Sequence, residues 1–330
     1  MRRLVALLAL SSLLLGLRRY EPPPPQEGVD VDAWVAERQA QAAADGVRPG
    51  DDERLVRRAE GKTPLAILYI HGFGASRAGG EAVVEPLGEA LGANTLYMRL
   101  PGHGVEDPEY LHAADPEDYL AGVEEAFHMA LQLGDKVVLV GSSTGGLLAT
   151  WAASLHSPDL AALVLESPFY DFADPSSAIL SLPGKRPALR LVVGKYRDTS
   201  WNTEDDPEGR PQPGYNEHWT TTQRGVTLIK LEKLRAFVDQ DEVYAQVTAP
   251  TLLFAYYKDA EHQDTVASVA AMHEAYEQFG SDSAPNPNNR FVELTDSNHI
   301  MFSSYVRTDK DAIFAELSSF FTALGYPVAL

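Results

Sequence analysis

The sequence predicts an α/β fold in which a mostly parallel sheet is covered by helices on both faces. Two patterns carry that expectation. From residue 53 onward, short β-branched runs alternate with helical stretches, the mark of consecutive β–α units. Several of those runs are apolar at every position rather than at every second one, as strands buried on both faces are. The chain has 330 residues, 45% of them hydrophobic, which is enough for a large core.

The first segment stands apart from this pattern. Arg2 and Arg3 precede an apolar run over residues 4–17, interrupted only by Ser11, Ser12 and Gly16. Arg18, Arg19 and Tyr20 follow, then a four-proline run at 22–25 that forms a stiff extended spacer. A basic start and a short apolar stretch point to an export signal or N-terminal anchor over 1–20, facing the protein outward. The run is short for a bilayer span, and no small-x-small cleavage site follows. The alternative is a buried apolar helix of a cytoplasmic protein. Residues 21–52 then read as the spacer plus an amphipathic helix over 29–44, with Val31, Trp34, Val35 and Arg38 on neighbouring positions.

Strands are expected at 65–70 (LAILYI), 95–99 (TLYMR), 136–140 (KVVLV), 161–165 (AALVL), 251–256 (TLLFAY) and 290–294 (RFVEL). Helices are expected near 80–91, 116–133, 145–156, 267–279 and 309–324. Between Pro168 and Thr248 no core strand is evident. That interval holds a stretch rich in Pro, Gly and Asp at 198–215 and a helical run at 222–238. A structureless loop of that length would be unusual, so 168–248 reads as an insertion, a helical cap, in a core built from 53–167 and 249–330. No internal repeat is present.

Composition removes several classes of function. With no cysteine, the chain has no disulfide framework, thiolate metal site, cysteine nucleophile or acylated cysteine. A formal net charge of −20 without a basic block makes a nucleic-acid backbone a poor partner. A small-molecule substrate fits this balance better.

Chemistry concentrates at residues 141–146 (GSSTGG), where Gly141-Ser142-Ser143-Thr144-Gly145 forms G-x-S-x-G between an apolar run and a helical stretch. The chemistry needs small flanking residues, because the chain must turn sharply to lift the Ser143 hydroxyl off the sheet end. The following helix directs backbone donors at developing negative charge. Ser142 occupies the x position and should point elsewhere. Upstream, His71-Gly72-Phe73-Gly74 follows the strand at 65–70. A glycine-rich turn there brings the Phe73 amide opposite the nucleophile, where with the Thr144 amide it would form a two-donor oxyanion hole. His71 reads as a brace for that loop rather than a base.

These residues resemble the α/β-hydrolase family. HGFGAS at 71–76, RLPGHG at 99–104, VGSSTGG at 140–146 and APTLLF at 249–254 match its landmarks in order, over roughly residues 60–325. The LPGHG element and the cap look most like its monoglyceride-lipase, lysophospholipase and carboxylesterase branch. The resemblance implies a three-layer fold, an eight-stranded, mostly parallel sheet and a Ser–acid–His triad in that chain order. It implies no substrate, since the fold hosts many chemistries.

The base must then lie beyond the last strand, and among nine histidines only His299 does. Its imidazole would take the Ser143 proton and return it to the leaving group. The histidines at 103, 112, 128, 156, 218 and 273 read as surface or structural. For the acid, the loop after 251–256 offers Asp259 and Asp264. Asp259 lies three residues past the strand. Asp264 opens an Asp-x-Val pattern before the next helix, 35 residues ahead of His299, and is favoured. Glu166 is a remote third choice. Glu261 and His262 suggest a metal only weakly, since no tight ligand cluster accompanies them.

Residues 99–104 read as a turn shaping the pocket rim, and 198–208 as a solvated acidic flap. Leu180, Leu182, Leu189, Leu191, Val192, Val193, Trp201, Trp219, Leu228 and Leu231 are candidates for an acyl pocket under the cap. The expected function is a serine hydrolase acting on a small-molecule or lipid-like carboxylic ester, without cofactor or metal, with membrane association through 1–20 as a further expectation. Peptidase, thioesterase and acyltransferase activities share this machinery, and a ligand receptor or scaffold retaining the fold is the alternative from another class. Dehalogenation is disfavoured because it requires a carboxylate at the nucleophile position.

Overall fold

The computed structural model describes Tyr20 and residues 28–182, 185–201 and 210–330. Apart from Tyr20, the leader expected over 1–20 lies outside the described residues, as does the proline run at 22–25 and part of the acidic flap.

The chain opens with helix α1 (Val31–Asp45), strand β1 (Arg54–Val56), β2 (Thr63–Ile70), α2 (Glu81–Leu91) and β3 (Asn94–Tyr97). There follow α3 (Pro108–Ala113), α4 (Pro116–Ala130), β4 (Gly134–Ser142), α5 (Thr144–His156) and β5 (Leu160–Glu166). After an inserted segment come β8 (Thr251–Tyr256), α9 (Val269–Gln278), β9 (Arg290–Leu294) and α10 (Lys310–Ala323). The segment itself carries α6 (Lys185–Val192), β6 (Tyr196–Asp198), β7 (Thr222–Arg224), α7 (Leu228–Val238) and α8 (Asp241–Ala245). All six strands expected from the sequence are present.

The main sheet has the order β1-β3-β2-β4-β5-β8-β9. Only β1 runs antiparallel to its neighbour. Seven strands therefore stand among the described residues where eight were expected. The chain just before β1 is already committed to α1, whose Asp30 cap accepts the Asp32 and Ala33 amides, so it supplies no further edge strand. Val31, Trp34 and Val35 of α1 are buried in the core, and Arg38 stacks on Trp34 with 5.1 Å between guanidinium and ring.

The continuous apolar runs have a direct explanation. In β2, Ala66, Leu68 and Ile70 enter the core on one face, while Leu65, Ile67 and Tyr69 enter the core on the other. The same split separates Val137 and Leu139 from Val138 and Val140 in β4. Helices α4, α5 and α9 cover the first face, and α2 and α10 the second. This is the three-layer arrangement, because a strand with period two must satisfy two apolar faces at once.

The inserted segment differs from its expected form in two ways. Residues 222–224 are not the start of a helix but pair antiparallel with β6, with Arg197 opposite Gln223. Cross-strand pairing outweighs the local helical pattern there, and the helix begins only at Leu228. Leu231, Leu234 and Val238 of α7, with Tyr244 of α8, also belong to the main core.

Candidate active site

The strand register collects the loops that matter at one sheet edge. Ile70 lies beside Gly141, Ser142 beside Glu166, Glu166 beside Phe254, and Tyr256 beside Leu294. Residues following β2, β4, β5, β8 and β9 therefore emerge together at the carboxyl ends of parallel strands, where open α/β sheets place ligands.

Ser143 sits at the turn between β4 and α5 with φ 53° and ψ −118°, a left-handed conformation that a non-glycine residue adopts only at a cost. Three bonds hold it there. Its amide donates to the Glu166 carbonyl at 2.8 Å, and its carbonyl accepts from the Leu147 and Phe169 amides, each at 3.0 Å. Gly145 permits the close crossing of β2, since a Cβ there would lie 2.0 Å from the Ile70 carbonyl oxygen. Ser142 points away, as expected, into a buried bond with the Tyr69 hydroxyl at 3.0 Å and another with the Glu166 carboxyl.

His299 follows β9 and is almost fully buried. Its Nε2 lies 2.9 Å from the Ser143 Oγ, and its Nδ1 lies 2.7 Å from the Asp264 Oδ2. Asp264 is in turn fixed by the Val266 and Ala267 amides, which donate to its Oδ1 at 2.8 and 3.0 Å. Asp259, the competing acid, is exposed and accepts from the His262 ring at 2.7 Å. Burial by itself would depress the His299 pKa, but the charge and hydrogen bond of Asp264, with the charge of Glu166, outweigh it and raise the pKa.

Glu166, the remote candidate, makes no hydrogen bond to the His299 ring. It accepts instead from the Phe302 amide at 2.7 Å, from the Met301 amide at 2.5 Å and from the Ser142 hydroxyl. It is fully buried, and burial pushes its pKa up to about 7 against those donors. It ties the serine turn to the loop that carries His299.

The loop after β2 faces the same point. Phe73 and Thr144 both line the cavity above Ser143, and among the described residues neither amide donates a hydrogen bond. Two buried histidines hold the loop. His71 Nε2 accepts the Leu100 amide at 3.0 Å, and His103 Nε2 accepts the Gly74 amide at 2.9 Å. Each then donates from Nδ1, to the Gly72 and Pro101 carbonyls. Burial lowers both pKa values, that of His103 to about 4, so both rings stay neutral and keep an acceptor nitrogen. His71 is a brace, as read from the sequence. His103 is a second one, and Phe73 packs edge-on against it at 5.7 Å.

Residues 99–104 depart from expectation. None of them lines the cavity; they buttress the loop from behind, because their histidine is needed as an internal acceptor. The remaining histidines at 112, 128, 156, 218 and 273 have partners elsewhere. Among the described residues no group of three His, Cys, Asp or Glu side chains is placed to hold a metal ion. No described helix is long and apolar enough to cross a membrane.

The cavity has a volume of about 370 Å³. Of the ten apolar residues expected to line it, only Trp219, Leu228 and Leu231 do. Leu180 and Leu189 pack with Ile229 in a separate cluster, joined by Val193, and Trp201 packs on Tyr215 at 4.9 Å. Leu182, Leu191 and Val192 face solvent. Sequence reasoning missed Phe169, Phe172, Val266, Tyr215 and Ile300 of the lining, and also Arg197. For Phe169 and Phe172 a signal existed: they follow β5 directly and so had to emerge at the same edge as Ser143.

Residues 67–314 match the model of the alpha/beta hydrolase family. Comparison with curated proteins finds no match. Among solved structures, one of the metagenome-derived lipolytic enzymes LipS and LipT is similar with a TM-score of 0.65 and 20% identity, over 84% of this chain and 99% of that one. A soluble variant of monoglyceride lipase from Saccharomyces cerevisiae gives a TM-score of 0.60 and 13% identity, over 83% of this chain and 91% of the other. The monoacylglycerol lipase of Paleococcus ferrophilus gives 0.56 and 14%, over 83% and 98%.

Proposed function

The chain belongs to the alpha/beta hydrolase family, and from that premise we propose that it is a serine hydrolase cleaving carboxylic esters of small or lipid-like molecules. The observation that carries this reading is the continuous hydrogen-bonded line Ser143–His299–Asp264, with steps of 2.9 and 2.7 Å. His299 removes the Ser143 proton as Oγ attacks the ester carbonyl. Asp264 holds the Nδ1–H tautomer and offsets the charge of the imidazolium. The Phe73 and Thr144 amides donate to the oxyanion, which the rigid turns present without reorganisation. Collapse of the tetrahedral intermediate breaks the C–O bond to the alcohol, which takes the proton from His299. Water, deprotonated by His299, then attacks the acyl-enzyme and frees Ser143 and the acid. The residues need no cofactor for these steps.

The lipolytic and monoglyceride-lipase neighbours support an ester substrate, and the aromatic and aliphatic cavity wall supports an apolar acyl part. The segment between β5 and α7 acts as the cap of that cavity. Residues 1–20 export the protein or anchor it outside the membrane, a reading that rests on their composition alone. Deleting them should change fractionation; unchanged fractionation would remove it.

A fluorophosphonate should label the wild-type protein stoichiometrically and leave Ser143→Ala unlabelled. A folded wild type that resists labelling and cleaves no member of a p-nitrophenyl ester series would instead mark a ligand-binding protein on the same fold. In an active enzyme the chain-length optimum of that series reports the depth of the cavity.

A further inference from the structure

The apolar wall of the cavity contains one cation. Arg197, on β6, lines it, and burial draws its guanidinium down to about 10. Among the described residues its only hydrogen-bond partner is neutral. The Gln223 Oε1 accepts from Nε at 3.2 Å and from Nη2 at 2.5 Å across the two-stranded ribbon. Gln223 is itself held, donating to the Thr220 carbonyl at 3.2 Å and packing against the loop that carries Phe73. A Cβ on Gly74, whose φ is +73°, would lie 2.6 Å from the Gln223 Nε2, so only glycine admits this contact.

The nearby carboxylates are engaged elsewhere. Asp174 lines the same cavity, but its side chain accepts from the Ser176 amide at 2.8 Å and hydroxyl at 2.9 Å. Asp198 is the next residue on β6, so it projects from the opposite face, and it accepts from Ser200. Glu109 pairs with Arg224. A buried cation whose side chain meets only a neutral partner costs stability unless an anion completes it.

We propose that Arg197, oriented by Gln223, forms an anion subsite, and that the substrate is an ester carrying a carboxylate on the arm that reaches it. This rests on the esterase reading of Ser143. A single guanidinium matches a monoanionic carboxylate better than a phosphate dianion, which calls for more donors. The net charge of −20 does not oppose this, because charges beyond about 8 Å are largely screened at physiological salt.

The test compares the p-nitrophenyl half-ester of adipic acid with p-nitrophenyl hexanoate, and 4-carboxyphenyl butyrate with phenyl butyrate, in wild type and in Arg197→Met. In at least one pair the wild type should prefer the anionic ester by roughly tenfold to a hundredfold in kcat/KM, chiefly through KM. Arg197→Met should erase that preference by lowering kcat/KM far more for the anionic than for the neutral ester of the pair. Arg197→Lys should restore part of it. Equal losses on neutral and anionic esters would make Arg197 structural and overturn the proposal. Stronger competitive inhibition by inorganic phosphate than by adipate would overturn the carboxylate assignment. Calorimetry of adipate binding to Ser143→Ala, with and without Arg197→Met, reads the subsite even if no ester is cleaved. Adipate binding that ignores Arg197→Met would overturn the subsite, whereas absent labelling of Ser143 would overturn only the esterase reading.

Discussion

Two buried carboxyl groups flank His299, one at the carboxyl end of β5 and one from the loop after β8. Both face pairs of backbone amides. Glu166 Oε1 accepts from Met301 and Phe302, and Asp264 Oδ1 accepts from Val266 and Ala267. They differ in the partner of the second oxygen. Asp264 turns it to the His299 ring, while Glu166 turns it to the Ser142 hydroxyl. The comparison teaches that burial and amide donors alone do not make a catalytic acid. Only Asp264 reaches the ring, whereas for Glu166 burial outweighs its hydrogen-bond donors and the charge of His299 and pushes the pKa up to about 7. In this reading Asp264 serves the reaction and Glu166 serves the architecture that aims it.

The largest expected effect breaks the comparison on the catalytic side. Asp264→Asn should lower kcat on the order of ten-thousandfold with little change in folding, since the histidine loses its tautomer control. In the wild type kcat/KM should fall with acid through a pKa above the ordinary 6.5 of histidine, because only neutral His299 accepts the proton. The residual activity of Asp264→Asn should show that limb displaced toward lower pH. A Glu166→Asn variant matching Asp264→Asn in rate loss would erase the distinction between the two acids.

Next in size, Glu166→Ala strands two buried amides and the Ser142 hydroxyl. Leaving a buried donor unsatisfied costs roughly 1–3 kcal/mol, so urea unfolding should report a loss of several kcal/mol at most. Glu166→Gln retains the acceptor oxygen and should lose far less. It should also change how stability depends on pH. The folded-state pKa of about 7 lies above the ordinary 4.5, so the fold binds the proton more tightly than the unfolded chain. The contribution of Glu166 is therefore greatest below 4.5 and declines as pH rises through about 7. Wild type should lose stability relative to Glu166→Gln across that window; parallel melting curves would refute the shift.

The smallest effect belongs to the acid that meets no catalytic group. Asp259→Asn removes a surface contact with His262, half-exposed on both sides, and solvent screening leaves such pairs little weight. Activity should stay within a few-fold of wild type.

Much of the site is legible in sequence because its constraints are local. Gly145 must be small to pass Ile70, Ser143 must close a strand–helix turn, and His299 must follow the last strand. Each requirement leaves a short pattern of residue types. Three-residue β1 and the β6–β7 ribbon leave no such pattern, since strands that short carry no periodicity and form only where a partner offers hydrogen bonds. The pocket wall was misread for a related reason. Hydrophobicity predicts that Leu180, Leu189 and Leu191 are apolar, not whether they meet the cavity, a satellite cluster or solvent.

The sequence by itself determined the parallel α/β core, the strand–helix turn at Ser143 and the bracing position of His71, because residue pattern and local chain geometry dictate them, while His299 is singled out by the chain order the family resemblance implies. Two decisions required the tertiary structure. The partner of His299 depends on where the twelve-residue loop between β8 and α9 folds back, which brings Asp264 against the ring and leaves Asp259 in water. The cation in the cavity depends on cross-strand pairing between residues 26 positions apart. Both are set by long-range burial and hydrogen-bond satisfaction, which local residue types do not encode.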